Sequence, residues 1–217
     1  MPDRPIYLKQ LELGPMQNFV YLIGDPQTKE AAVIDPGWEV PKILAAAEAE
    51  GYRLTRVLLT HSHFDHVMGL GALLKAVDVP VHIHETEASA LPVAPSSLQV
   101  VRHGDTIQVG QVPVTLIHTP GHTPGSQCLL VNGRLLSGDT LFIGGCGRCD
   151  LPGGDPRALY HSLTHTLQHL DDQTVLYPGH NYAPSPHSTL GQEKHDNPFL
   201  QPENLEQFLR LVGAALS

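Results

Sequence analysis

Three imidazoles and a carboxylate fall within six positions in the run Thr60-His61-Ser62-His63-Phe64-Asp65-His66. The apolar segment Val57-Leu58-Leu59 stands directly before it and an amphipathic segment begins near Val67. Extended backbone sends residues two apart to the same side, so His61 and His63 can share one metal. The turn into the following helix can swing Asp65 and His66 toward a second. Three further candidates each follow a glycine in a turn after an apolar run: His122 in TPGHTPG, Asp139 in SGD and His180 in YPGH. Taken singly, each reads as a polar residue capping a turn. Together with the dense first cluster they read as a two-metal centre. The donors are nitrogen and oxygen only, which suits zinc, iron or manganese rather than a thiolate structural site.

Elements must carry these residues to one place. Apolar runs bounded by turn residues predict strands at Ile6 to Leu13, Phe19 to Ile23, Ala31 to Ile34, Val57 to Leu59 and Val81 to Ile83. More are predicted at Thr106 to Val109, Val112 to Ile117, Gln127 to Val131, Arg134 to Leu136 and Thr174 to Tyr177. Asn132-Gly133 supplies a two-residue hairpin. Helices are predicted at Pro41 to Glu50, on the face marked by Val67, Leu70, Leu73, Leu74 and Val77, at about Asp155 to Leu170, and at Pro202 to Leu216. Strands and helices mix in both halves, which favours sheets covered by helices, an α+β chain. With 217 residues the chain reads as a single domain over residues 1–217 with a short C-terminal helical segment.

Composition narrows the function. With 13 Lys+Arg against 22 Asp+Glu the formal net charge is -9, which repels a phosphate-coated partner, so no nucleic-acid binding is expected. No run approaches a membrane span and the first residues lack the apolar stretch of a signal peptide, so a cytoplasmic protein with no membrane partner is expected. The three cysteines, Cys128, Cys146 and Cys149, give no disulfide framework. The 14 histidines, against Tyr 6, Phe 5 and Trp 1, point again to metal.

HSHFDH, TPGHTPGS, SGDTLF and YPGHNY, in this order, resemble the metal-binding motifs of the metallo-β-lactamase superfamily, with the likeness running from about Leu11 to Pro202. The resemblance implies an αββα sandwich of two mixed β-sheets flanked by helices, with metals at one sheet edge. It implies that His61, His63 and His122 hold one metal, that Asp65, His66 and His180 hold the second, and that Asp139 bridges them. GGCGRCDLPGGD and STLGQEKHDNPFLQ resemble the short bacterial glyoxalase II-like hydroxyacylglutathione hydrolases and, less closely, the glutathione persulfide dioxygenases. The dioxygenases use only the positions of His61, His122 and Asp139, for a single iron. Lactonase or β-lactamase activity is a further alternative.

The expected cofactor is thus a pair of divalent metals, zinc first, with iron or manganese as alternatives and a single iron in a dioxygenase. Coordination lowers the pKa of water from about 16 toward 7, giving a nucleophile against a small thioester such as S-lactoylglutathione. A thiolate of pKa about 8.5 leaves without an acid. Asp65 and Asp139 are the candidate catalytic carboxylates. Arg148 is a candidate grip for a substrate carboxylate, with an ion pair to Asp150 as the alternative, and Tyr182 is a candidate hydrogen-bonding partner, with packing as its alternative. The partner expected is a small thioester or glutathione-derived molecule, and the chain a monomer or homodimer. His161, His165 and His169 lie across the helix from Leu159, Leu163 and Leu167 and should face water. His82 and His84 read as surface residues or neighbours of ligands, and Cys146-Gly147-Arg148-Cys149 as structural.

Overall fold

The computed structural model describes residues 5–91 and 93–214. Its first sheet contains β1 (Tyr7–Leu13), β2 (Asn18–Gly24), β3 (Glu30–Ile34), β4 (Arg53–Leu58), β5 (Val81–His84) and β6 (Leu98–Val101), side by side in that order. β1 to β3 form an antiparallel meander, and β3 to β6 run parallel. Then come β7 (Thr106–Val109), β8 (Val112–His118), β9 (Gln127–Val131), β10 (Arg134–Gly138), the small hairpin β11 (Leu141–Phe142) with β12 (Gly145–Cys146), β13 (Val175–Pro178) and β14 (Ser188–Thr189). The second sheet has the order β14-β13-β10-β9-β8-β7, with β10 and β13 parallel and the other pairs antiparallel. Asn132 and Gly133, both at positive φ, turn β9 into β10.

Alternation in β2 shows how the layers form. Phe19, Tyr21 and Ile23 point between the sheets and pack with Val114, Leu116 and Leu129, while Val20 and Leu22 pack outward with Ile43, Leu70 and Leu73. Ile43 belongs to the helix α1 (Val40–Ala49) and Leu70 and Leu73 to α3 (Leu70–Ala76), and Val67 of α2 (Phe64–Val67) joins the same core cluster. The other outer face of the sandwich, with Cys128, Leu135 and Leu176, is covered by Leu159, Leu163, Leu167, Leu190 and Phe208. These come from α4 (Pro156–His161) and the π and 3-10 turns that continue it to His169, from α5 (Leu190–Asp196) and from α6 (Leu205–Leu211). A strand covered on both faces carries a continuous apolar run, as β2 does from Phe19 to Ile23. The result is the αββα sandwich of two mixed sheets.

Several expectations need correction. The helix expected from Val67 to Val77 is two, α2 and α3, interrupted at Gly69, where a Cβ would stand 2.3 Å from the Pro36 carbonyl oxygen. The last helix begins at Leu205, with Asn204 capping it, and the expected Ala215 and Leu216 lie outside the described residues. His82 and His84 are not surface residues: both are buried, on the side of β5 opposite Val81 and Ile83, and His84 stacks on His118 of β8 at 4.0 Å. His161, His165 and His169 face water as expected.

Candidate metal centre

The seven side chains meet at one end of the sandwich. Thr60, His61 and His63 follow the end of β4, α2 supplies Asp65 and His66, and the turns after β8, β10 and β13 supply His122, Asp139 and His180. The two sheets are tied together here. Gln127 N donates to Thr60 O at 2.9 Å and Phe19 N to Gly179 O at 2.8 Å. Gly179 is needed for space, because a Cβ would stand 2.3 Å from Asp139 Oδ1.

The donors sort into two groups. One donor atom each from His61, His63 and His122 lie within 4.8 Å of one another, and so do those of Asp65, His66 and His180. Each triad takes two residues from the first sheet's loops and one from the second's. Asp139 stands between them: Oδ2 is 3.5 Å from His122 Nε2 and 3.3 Å from His180 Nε2, and Oδ1 is 3.3 Å from His66 Nε2. Asp35 also lies near His61 and His66, but its oxygens are engaged from the far side of both rings.

Four imidazoles are held at Nδ1, leaving Nε2 to point inward. His122 Nδ1 donates to Arg148 O at 2.6 Å, His180 Nδ1 to Met16 O at 2.9 Å, and His66 Nδ1 to Asp35 Oδ2 at 3.0 Å. His61 Nδ1 lies 3.0 Å from Thr60 Oγ1, whose hydroxyl donates to Asp35 Oδ2 at 2.6 Å. Such contacts fix the tautomer that presents a lone pair at Nε2. His61 Nε2, His122 Nε2 and Asp139 Oδ1 are buried without a hydrogen-bond partner, a costly arrangement that a cation relieves. The residues therefore fit divalent metal ions.

Electrostatics agree. Burial, with the neighbouring His66, drives the His61 pKa well below the ordinary imidazole value, and burial also lowers His63. Burial opposes ionisation of Asp65, but His180, His66 and Asn18 outweigh it and hold the carboxyl at about 2. Asp139, equally opposed by burial, is carried well below its ordinary value by His66 and His180. Burial opposes the charged form of His180 as well, yet Asp139 and Asp65 raise it to about 9. The centre is a buried cluster of ionised carboxylates with uncharged imidazole at His61 and His63, and a bound metal would displace the proton that the carboxylates hold on His180.

Arg148 is exposed and grips Asp150 through Nε and Nη2 at 2.9 and 2.8 Å, while its carbonyl supports His122. Tyr182 stacks on His180 with ring centroids 4.8 Å apart. Sequence reasoning missed Asp35, Asn18 and Glu87. Asn18 donates to Asp65 Oδ2 at 2.8 Å and accepts from Trp38 Nε1 at 2.8 Å. Buried Glu87 accepts from Ser62 N at 3.1 Å, from the Ser62 hydroxyl and from Gly125 N at 2.8 Å, joining the loops of His61 and His122. Asp35 carried a signal, since Ile34-Asp35-Pro36-Gly37 is another carboxylate in a strand-end turn; Glu87 carried none.

Comparison with known proteins agrees with this geometry. Residues 13–180 match the family described as the metallo-beta-lactamase superfamily. A hydroxyacylglutathione hydrolase of Alkalilimnicola ehrlichii is 39% identical over 200 residues, 91% of this chain and 73% of that protein. The mitochondrial persulfide dioxygenase ETHE1 of Homo sapiens is 33% identical over 212 residues, 96% of this chain and 81% of that protein. Among solved structures, TTHA1623 in a di-iron-bound form superposes with a TM-score of 0.76 at 36% identity, covering 88% of this chain and 100% of that one.

Proposed function

The chain belongs to the metallo-β-lactamase superfamily, and on that premise we propose that it is a metal-dependent hydrolase cleaving a small thioester of the S-lactoylglutathione type. The observation that carries the reading is the convergence of seven donors into two triads with Asp139 between them. His61, His63 and His122 would hold one metal, Asp65, His66 and His180 the other, and Asp139 both. When bound, the metals supply an acidified water and a Lewis acid for the thioester carbonyl.

The chain's own residues do the rest. Asp65 and Asp139 stay ionised and face the donors, where their charge would balance that of the metals. The leaving thiolate, of pKa about 8.5, needs no proton donor. Arg148 exchanges Asp150 for a substrate carboxylate, at little cost because an exposed ion pair is worth about 0–1 kcal/mol. Tyr182 borders the entry from its position on His180. Three free cysteines suit a reducing, cytoplasmic setting.

Two metals per chain with turnover of S-lactoylglutathione, both lost in His122→Ala and Asp139→Ala, are expected. Turnover retained by a metal-free variant would overturn the reading. One observation favours a second reading: within the centre, the buried side-chain atoms without hydrogen-bond partners, His61 Nε2, His122 Nε2 and Asp139 Oδ1, are two imidazoles and one carboxylate, the donor set of a non-haem iron oxygenase. A single iron per chain, with oxygen uptake on glutathione persulfide, would establish the dioxygenase instead.

A further inference from the structure

Four of the six large apolar side chains most exposed among the described residues sit around the metal centre. Phe64, 56% exposed, lies between His63 and Asp65, and Met68, also 56% exposed, follows His66 by two positions. Tyr182, 57% exposed, stacks on His180, and Met16 offers the carbonyl that holds His180 Nδ1. Two half-buried rings complete the set. Trp38 meets Phe64 edge-on at 6.4 Å, and Phe142 meets both Tyr182 and His180 edge-on at 5.5 and 5.9 Å. Single exposed apolar residues need no explanation, but a cluster does.

The size of the cluster selects its occupant. An aromatic side chain offers about 150–250 Å² in full, so Phe64 and Tyr182, each somewhat over half exposed, present about 200 Å² together, and the two methionines bring the patch to roughly 300–400 Å². A stable protein interface needs about 800 Å² on each partner. The patch presents about half that area and borders the metal centre, which favours one arm of a small molecule as its occupant. Every member is bonded or packed to the ligand loops, so whatever covers the patch also lies over the metal centre.

We propose that this collar holds an apolar acyl arm of the substrate, a hydrocarbon or aromatic group of several carbons, in preference to a short hydroxylated one. The inference rests on the thioesterase reading for its occupant, and the test separates the two. S-alkyl glutathione thioethers cannot be hydrolysed, and the chain's one tryptophan, Trp38, reports their entry by fluorescence. The metal-loaded protein is titrated with the S-methyl, S-butyl and S-octyl compounds. Full burial of a methylene is worth about 0.8 kcal/mol, or about fourfold in Kd, so a half-open collar gives about two- to fourfold tighter binding per added carbon. Phe64→Ser reduces that slope, and Met68→Gln, at an exposed position, reduces it without entering the ligand motif. A Kd independent of chain length, or an unchanged slope in both variants, would overturn the collar. Acyl glutathiones of the same lengths are then assayed for hydrolysis. A length-dependent Kd without turnover of any thioester leaves the collar standing and removes the thioesterase reading; turnover without length dependence removes the collar alone.

Discussion

Replacing Asp35 with asparagine tests how the metal centre is set up. Asp35 Oδ1 accepts from Thr60 N at 2.8 Å, and Oδ2 accepts from Thr60 Oγ1 at 2.6 Å and His66 Nδ1 at 3.0 Å. An asparagine must turn its NH2 toward one of these sites. At the Oδ1 position it would oppose a backbone N–H that has no alternative, leaving a buried donor unpaired at about 1–3 kcal/mol. At the Oδ2 position the Thr60 hydroxyl can rotate and accept. His66 must then present a lone pair at Nδ1 and carry its proton at Nε2, the atom that faces Asp139 and His180. The second option costs less and disables His66 as a ligand. Loss of such a supporting carboxylate lowers metal affinity about 10- to 100-fold, or about 1.4–2.7 kcal/mol. The backbone is not the cause, because Asp35 sits at φ 52°, a conformation asparagine adopts readily. Calorimetric titration of the metal-free variant should show the site of Asp65, His66 and His180 weakened more than that of His61, His63 and His122, which Asp35 reaches only through Thr60 Oγ1. Two affinities equal to those of the unaltered protein would refute the assignment of Asp35 as the group that sets the His66 tautomer.

Three further outcomes are expected. His82 is buried with neither ring nitrogen hydrogen-bonded, and burial together with Arg56 lowers its pKa to about 4. Between pH 6.5 and 4 the unfolded chain binds the proton and the folded one does not, so this stability is complete above pH 6.5 and lost as pH falls toward 4. It amounts to about 2–3 kcal/mol, and urea unfolding at pH 7.5 and 4.5 should show a smaller difference for His82→Leu; an equal difference would refute it. Gly147→Ala would place a Cβ 1.7 Å from Asp139 O and 3.3 Å from His122 Cβ, displacing the loop that carries the Arg148 carbonyl. Metal affinity should fall at least about tenfold, and a titration curve like that of the unaltered protein would contradict this. Chelation should lower the melting temperature: free metal at 100 times its Kd stabilises by about 2.7 kcal/mol, or about 5–10 °C in a chain of this size, and scanning calorimetry with and without chelator measures it.

The side chains that converge at the candidate centre were legible because coordination chemistry draws on few residue types and the folded chain presents them at strand ends, where His61, His122, Asp139 and His180 all lie. The sheets were legible through alternation, as in β2, and through Asn132-Gly133. What escaped depends on partners distant in sequence. Glu87 matters only because Ser62 and Gly125 fold back onto it. β6 went unread because Gln99 and Val100 are exposed on an edge strand, so neither a continuous apolar run nor a clean alternation marks it. The burial of His82 follows from the inward side of β5, which the alternation of Val81 and Ile83 indicates but the polarity of histidine disguises. α5 is short and polar, and only Leu190 and Glu193 of its residues are buried.

Each donor triad borrows its third residue from the opposite sheet: His122 completes His61 and His63, and His180 completes Asp65 and His66. The first sheet's strands precede all of the second's along the chain. During synthesis, therefore, the leading half emerges with four of the seven donors and neither triad whole. High-affinity capture waits until His122 has emerged for one triad and His180, which follows β13 of the second sheet, for the other. Metal acquisition in this architecture follows the pairing of the two sheets, and the ion would act as a clasp across the sandwich rather than a seed for either half.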